Sequence, residues 1–211
     1  MGGSFNPAHA GHLHIARLAL RRLRLDQVWL MVSPGNPLKP QAGMAAMTDR
    51  LHSAQELGDG RRIVATAIEA SLGTRYTFDT LRALRRRFPA VRFVWLMGAD
   101  NLVQLPRWQR WVGIAQAMPF AVLPRPTYNH RALAGQAAHR LRRALRPSRA
   151  GPVLADQATP AWMFLPARQN ALSATEMRAS RSVPGWPPVK MPQKLTDGAI
   201  EQPHALRGTR L

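Results

Sequence analysis

Leu13, Ala16, Leu20 and Leu23 recur at spacings of three and four, with Arg17, Arg21 and Arg24 on the opposite side. This predicts an amphipathic helix over about residues 12–25. Val28, Trp29, Leu30, Met31 and Val32 follow as an unbroken apolar run closed by Ser33-Pro34-Gly35, the form of a strand buried on both faces of a parallel sheet. The alternation continues with a helix over 48–57 with Thr48 as N-cap, a short strand at 63–65, a helix over 78–88 carried by Phe78, Leu81, Leu84 and Phe88, and a strand at 91–97. Beyond these the pattern gives a helix at 107–117, a strand at 120–123 and a basic helix at 131–146. Helices alternating with apolar strands predict an α/β fold: an open parallel sheet with helices on both faces, binding ligands at the carboxyl ends of its strands.

Past Arg181 the period is lost. Residues 182–211 carry Pro184, Pro187, Pro188, Pro192 and Pro203 without an apolar stripe, so the chain divides into a folded domain, 1–181, and a Pro-rich tail, 182–211, expected to be extended or disordered. At 211 residues the protein is long enough for a real core, and 45% hydrophobic against 19% charged residues argue against wholesale disorder. Charges or prolines interrupt every apolar run before the roughly 18–20 residues needed to cross a bilayer. The opening Met1-Gly2-Gly3-Ser4-Phe5-Asn6 lacks the Ser or Thr that N-myristoylation requires at the sixth position, and no basic-then-apolar leader is present. The expected location is therefore the cytoplasm. Cysteine is absent, which removes disulfides, thiolate metal sites and thiol nucleophiles from consideration.

A formal charge of +19 suits a nucleic-acid or other anionic partner. A second origin fits as well, because only Lys39, Lys190 and Lys194 of the 30 basic residues are lysines, as an arginine-biased codon usage would produce. The excess belongs to the folded body, since the tail's four basic residues face Asp197 and Glu201. Arg131, Arg140, Arg142, Arg143, Arg146 and Arg149 gather on the predicted basic helix. There Leu133, Ala137, Leu141 and Leu145 predict a buried opposite side, and no aromatic residue interleaves the arginines to stack a base.

The segment with most chemistry is Gly2-Gly3-Ser4-Phe5-Asn6-Pro7-Ala8-His9-Ala10-Gly11-His12, a glycine-rich loop with two histidines running into a helix. Gly2 and Gly3 let backbone approach an anion closely, and the helix start adds free N–H groups and a positive dipole end. His9 and His12 would add side-chain donors on one concave side, Gly11 keeping the turn narrow. Taken without other motifs, the same residues fit a helix that merely begins at His12 after a solvated His9. Ser173 and Thr175 ahead of Arg178 combine hydroxyl donors with a guanidinium, which makes a phosphate clamp or, alone, an ordinary helix cap. Asp100 follows a strand, where a carboxylate meets a sheet ligand such as a ribose hydroxyl.

In order along the chain stand G-G-S-F-N-P-x-H-x-G-H, Arg75-Tyr76-Thr77-Phe78-Asp79-Thr80, Gly98-Ala99-Asp100-Asn101, Leu105-Pro106-Arg107-Trp108, Arg125-Pro126 and Leu172-Ser173-Ala174-Thr175-Glu176-Met177-Arg178. This series resembles the bacterial nicotinate-nucleotide adenylyltransferases of the nucleotidylyltransferase superfamily, over about residues 1–181. The resemblance implies a Rossmann-like sheet and adenylyl transfer from ATP, with Mg²⁺ carried on the nucleotide, to nicotinate mononucleotide in NAD biosynthesis. It implies His9, His12 and Arg178 as catalytic groups, and no protein metal ligand. Gly2, Gly3, Ser4, Phe5, Gly11, Gly98, Asp100, Ser173 and Thr175 would hold ATP. Tyr76, Thr77 and Trp108 would hold the acceptor, Trp108 by stacking on the pyridine; for Tyr76 plain core packing is nearly as good a reading. Lys39 would meet the acceptor phosphate, although Leu38 stands where the family commonly has histidine. Nicotinamide mononucleotide and phosphopantetheine remain alternative acceptors, and a basic nucleic-acid-binding protein the alternative of another class. The resemblance also places an apolar strand ahead of the glycine loop, in the centre of the sheet. With Met1 directly before Gly2 that strand is expected to be missing, through a start assigned too far downstream or a fragment.

Overall fold

Successive side chains along each strand go to two different cores. In the computed structural model, which describes residues 1–35 and 43–167, the strands are β1 (Gly2–Gly3), β2 (Val28–Val32), β3 (Ile63–Thr66), β4 (Trp95–Gly98), β5 (Phe120–Leu123) and β6 (Trp162–Phe164). Leu30, Val32, Leu96, Ala121, Leu123 and Met163 enter one cluster, while Met31, Trp95, Met97, Phe120, Val122 and Trp162 enter the other. Because both sets must be apolar, the strands read in sequence as continuous hydrophobic runs rather than alternating ones.

Helices α1 (Ala10–Arg22) and α2 (Met47–Leu57) line the first core with Ala16, Leu20 and Ala54. The second is lined from α4 (Thr77–Arg87), α5 (Ala99–Gln104), α6 (Trp111–Ala117), α7 (Asn129–Leu133) and α8 (Gln136–Arg140), with Leu81, Leu102, Ile114, Ala132 and Ala137. The short α3 (Ile68–Ser71) follows β3. Among the described residues the strands pair in two three-stranded parallel sheets rather than one ladder, β1-β2-β3 with Gly2 opposite Met31 and β4-β5-β6 with Trp95 opposite Phe120. The two ladders share both cores. Among the described residues no helix is long and apolar enough to cross a membrane.

Gly2 and Gly3, at the start of the glycine loop, themselves pair with β2 as the two-residue β1. Met31 N–H donates to the Met1 carbonyl and Ser33 N–H to that of Gly3, each at 2.9 Å. A Cβ on Gly2 would stand 2.7 Å from the Trp95 ring, so only glycine lets this strand lie so close to β4. The Met1 amino group donates to the Trp29 carbonyl at 2.8 Å, and its burial, partly opposed by Glu69, lowers its pKa to about 5.

Several elements differ from the sequence pattern. The strand expected from residue 91 begins at Trp95. The helix expected over 107–117 is a 3₁₀ turn (Leu105–Arg107) followed by α6, with Arg110 between them in the left-handed region at φ 52°. Thr48 is not an N-cap: α2 starts at Met47 after Ala46, and the Thr48 hydroxyl lies beside Asp49. The single basic helix is broken at Gly135 into α7 and α8, followed by a 3₁₀ turn (Arg142–Ala144). Its expected buried side is only half realised, for Ala137 and Leu141 are buried whereas Leu133 and Leu145 are 46% and 44% exposed. β6, α3 and α5 were not anticipated; all are six residues or shorter, too brief to display a period. The proposed tail lies outside the described residues.

Candidate active site

The glycine loop turns into α1 at the carboxyl ends of β1 and β2. His9 is the N-cap of α1, extended at φ −151°, and the helix starts at Ala10 rather than His12. Its Nδ1 accepts the Gly11 N–H at 3.1 Å, and Nδ1 of His12 accepts the N–H of His9 at 3.2 Å. This reciprocal cap does what a Ser…Glu capping box does, with imidazoles in both positions. It also fixes chemistry: each Nδ1 is used as an acceptor, so in the neutral rings the proton sits on Nε2. The ring centroids lie 3.8 Å apart. His9 is only 7% exposed, which replaces the solvated-loop alternative.

Two such close imidazoles stay neutral. Burial, reinforced by Arg125, lowers the pKa of His9; burial, His9 and then Arg125 push that of His12 down to about 3. The pair is thus two Nε2–H donors whose dipoles, not net charge, face an anion. A consequence for stability follows, since the unfolded chain takes up a proton near 6.5 at His12 that the folded chain refuses. His12's contribution is full above pH 6.5 and is lost as pH falls towards 3. In urea denaturation at stepped pH, wild type is therefore expected to lose stability more steeply between pH 6.5 and 4 than His12→Ala. Parallel curves would refute the neutral assignment.

Across the sheet edge, Gly98 ends β4 and caps α5, and Asp100 sits in the first turn. Asp100 Oδ2 lies 3.6 Å from Nε of Arg125, which follows β5. Asp100 Oδ1 is buried with no hydrogen-bond partner among the described residues, an acceptor left for something else. A Cβ on Gly98 would collide with that oxygen. Arg125 is thus the cation between the histidines and Asp100. Its position two residues past a strand is the signal that picked out Asp100, and it could have been read the same way.

Tyr76 occupies the cap position of α4 at 38% exposure, so core packing does not account for it; Thr77 is the first residue of the helix. Trp108 follows the 3₁₀ turn and packs, partly buried, against the second core. Phe5 is buried, its ring 4.9 Å from that of His12, with its backbone left-handed at φ 44°. With its ring buried, Phe5 contributes to the loop chiefly through backbone. The Gly11 N–H is spent on His9, leaving fewer free helix N–H groups than the loop pattern alone suggests. Lys39, Ser173, Thr175 and Arg178 lie outside the described residues.

Two buried charges escaped the sequence reading. Arg50, in α2, is 3% exposed and donates to the carbonyls of Ser4 (2.8 Å), Ser33 (2.8 Å) and Ala45 (3.0 Å). Its signal was position, one turn before buried Ala54 on the same helix face. Glu69, in α3, is buried beside Ser33, Thr80 and the N-terminal ammonium; burial raises its pKa, and those three groups pull it back.

Residues 1–180 match the cytidylyltransferase-like family. The chain is 63% identical over 180 residues to a probable nicotinate-nucleotide adenylyltransferase of Gluconacetobacter diazotrophicus, covering 85% of this chain and 84% of the relative. The chain belongs to the nicotinate-nucleotide adenylyltransferase family. A second member of the family, the probable nicotinate-nucleotide adenylyltransferase of Gluconobacter oxydans, is 62% identical over 85% of this chain and 92% of its own. In fold the chain is similar to nicotinic acid mononucleotide adenylyltransferase of Plasmodium falciparum solved with NaAD, at a TM-score of 0.62, 14% identity, and coverage of 84% of this chain and 80% of the other. At that identity the likeness concerns the Rossmann-like fold alone.

Proposed function

We propose that this adenylyltransferase moves the adenylyl group of ATP to nicotinate mononucleotide, giving nicotinate adenine dinucleotide and pyrophosphate in NAD biosynthesis. The observation that carries this reading is the neutral histidine pair capping α1 next to Arg125 and the unpartnered oxygen of Asp100, all at the carboxyl edge of the sheet.

An oxygen of the acceptor's 5'-phosphate attacks the α-phosphorus of ATP; the P–O bond to the β-phosphate breaks and pyrophosphate leaves with that electron pair. The nucleophile is already an anion, so no residue needs to remove a proton and no covalent enzyme intermediate is needed. What remains for the protein is alignment and stabilisation of charge on the five-coordinate phosphorus. Nε2–H of His9 and His12 would donate to the phosphate oxygens, with Arg125 adding a full charge. Gly2, Gly3 and the helix start would approach the phosphates, and Asp100 Oδ1 would accept from a ribose hydroxyl. Arg178, with Ser173 and Thr175, would bind the triphosphate, and Lys39 would meet the acceptor phosphate. Exposed Tyr76, with the half-buried Thr77 and Trp108, would receive the pyridine. Among the described residues no three His, Asp or Glu form a metal cage. Mg²⁺ would, on this reading, arrive on ATP with phosphates and water as its ligands, and would supply further charge neutralisation there. On this reading residues 1–181 form the catalytic domain, 182–211 a tail, and the enzyme works in the cytoplasm.

The test is pyrophosphate release with ATP and Mg²⁺, comparing nicotinate mononucleotide, its amide and phosphopantetheine. Release that depends on nicotinate mononucleotide is the expected result, and a preference for either other acceptor would reassign the substrate. Gly98→Ala provides a second check, because its methyl would displace the Asp100 carboxylate. The KM for ATP should rise about tenfold, the scale of one charge-assisted hydrogen bond, with the acceptor KM unchanged. An unchanged ATP KM would remove Asp100 from the nucleotide site.

A further inference from the structure

The glycine loop is held from one side along its length. Nη1 of Arg50 donates to the Ser4 carbonyl at 2.8 Å. The Asn6 carboxamide brackets the segment leading into α2, its Nδ2 donating to the Gly43 carbonyl at 3.0 Å and its Oδ1 accepting the Ala45 N–H at 3.2 Å. The Ala8 N–H donates to the Ser53 hydroxyl at 3.3 Å, and that hydroxyl donates to the Arg50 carbonyl at 2.9 Å. Alternate loop residues Ser4, Asn6 and Ala8 are thus tied to α2 and its lead-in, and the next residue is His9. Arg50 also secures the lead-in, Nε donating to the Ala45 carbonyl at 3.0 Å while Nη1 reaches the Ser33 carbonyl, at the exit of β2, at 2.8 Å.

Between the ties at Ser4 and Asn6, Phe5 is left-handed at φ 44°, a conformation that a bulky residue keeps only where its surroundings enforce it. Its buried ring lies 4.9 Å from that of His12, so the held backbone sets the surface against which that imidazole rests. Arg50 has no ion-pair partner within 4 Å among the described residues, and a guanidinium buried in this way is costly to desolvate. An apolar side chain would fill the place without that cost, but it could not join carbonyls of three separate segments. An ammonium could not do so at the fixed angles of the planar fork. We propose that Arg50, Asn6 and Ser53 are positioning residues, a clamp from α2 that sets the His9–His12 pair through the backbone of the glycine loop. Its consequence for chemistry rests on the adenylyl-transfer reading; the clamp itself does not. Donors stabilise a transition state only where they are preorganised, and a displacement of about 1 Å costs up to a hundredfold.

The test uses R50K, N6A, S53A and S53T in the full chain, with two readouts. One is the kinetics of pyrophosphate release. The other is the imidazole nitrogen resonances of His9 and His12 at neutral pH, which report the ring nitrogen that carries the proton. In wild type both rings should carry it on Nε2. In R50K, N6A and S53A the loosened loop is expected to release His12 Nδ1 from the His9 N–H, and the ring should then populate both tautomers. For R50K and N6A kcat should fall by roughly ten- to a hundredfold, with the KM for either substrate changed by less than about threefold. S53A should lose about tenfold, the scale of one hydrogen bond, and S53T, which keeps the hydroxyl, should restore most of that rate. Folded variants whose ring resonances match wild type would overturn the proposal, as would an ATP KM that rises while kcat holds. If R50K fails to fold, N6A and the S53A–S53T pair decide by the same measures. Should wild type release no pyrophosphate with any acceptor, the transferase reading falls, and the ring resonances alone decide whether the clamp sets the histidines.

Discussion

His12→Ala is expected to lower turnover by roughly a hundredfold to a thousandfold, the cost of deleting one preorganised donor to a charged transition state. The structural cost should be much smaller. His12 also accepts the N–H of His9, so its loss undoes half of the reciprocal cap, worth on the order of 1 kcal/mol, and the helix itself remains anchored by Ala16, Leu18, Ala19 and Leu20. Kinetics of pyrophosphate release, paired with a circular-dichroism melt, separate the two effects. A folded variant with near-normal kcat would remove His12 from the chemistry. His12→Gln is the informative companion, because its amide still donates: partial recovery relative to alanine would identify the N–H, rather than the ring, as the working group.

Trp162→Ala should produce the largest loss of stability, about 3–5 kcal/mol. The side chain is buried in β6, its ring stacked 5.7 Å from that of Phe120, and its Nε1–H donates to the Leu141 carbonyl at 2.9 Å. Alanine would open a large cavity and strand that carbonyl, against a total stability of about 5–15 kcal/mol for a domain of this kind. Urea denaturation measures it directly; a loss below about 1 kcal/mol would mean that the site collapses without penalty. Activity should fall with it at raised temperature, since β6 supports β5 and β5 presents Arg125.

Much of this was legible in the chain. The long helices and the apolar runs at 28–32 and 120–123 appeared where their periods placed them, because burial on both faces leaves an unambiguous record. His9, His12 and Asp100 were readable as candidate site residues from a glycine loop and a strand end. The importance of Trp162 was not legible, since β6 is three residues long and too short to display a period. Gly135 was overlooked as a break in the basic helix, although glycine is the residue most able to end one. Arg50 and Glu69 were missed for a deeper reason: a charged residue in a helical pattern is read as solvent-facing, and only the carbonyls and hydroxyls gathered around it in three dimensions reveal otherwise.

The division of each strand between two cores gives the fold a parity. A single residue inserted into β2 would send Met31 to the face where Leu30 now sits and exchange every partner beyond it, whereas two residues would restore the order of faces. Length changes of one residue are thus excluded from β2, β4 and β5, and tolerance to them is confined to the connections. Those connections at the carboxyl edge are also where the substrates would be met, so the segments free to change in length are the ones that tune the site, on a frame that counts in twos.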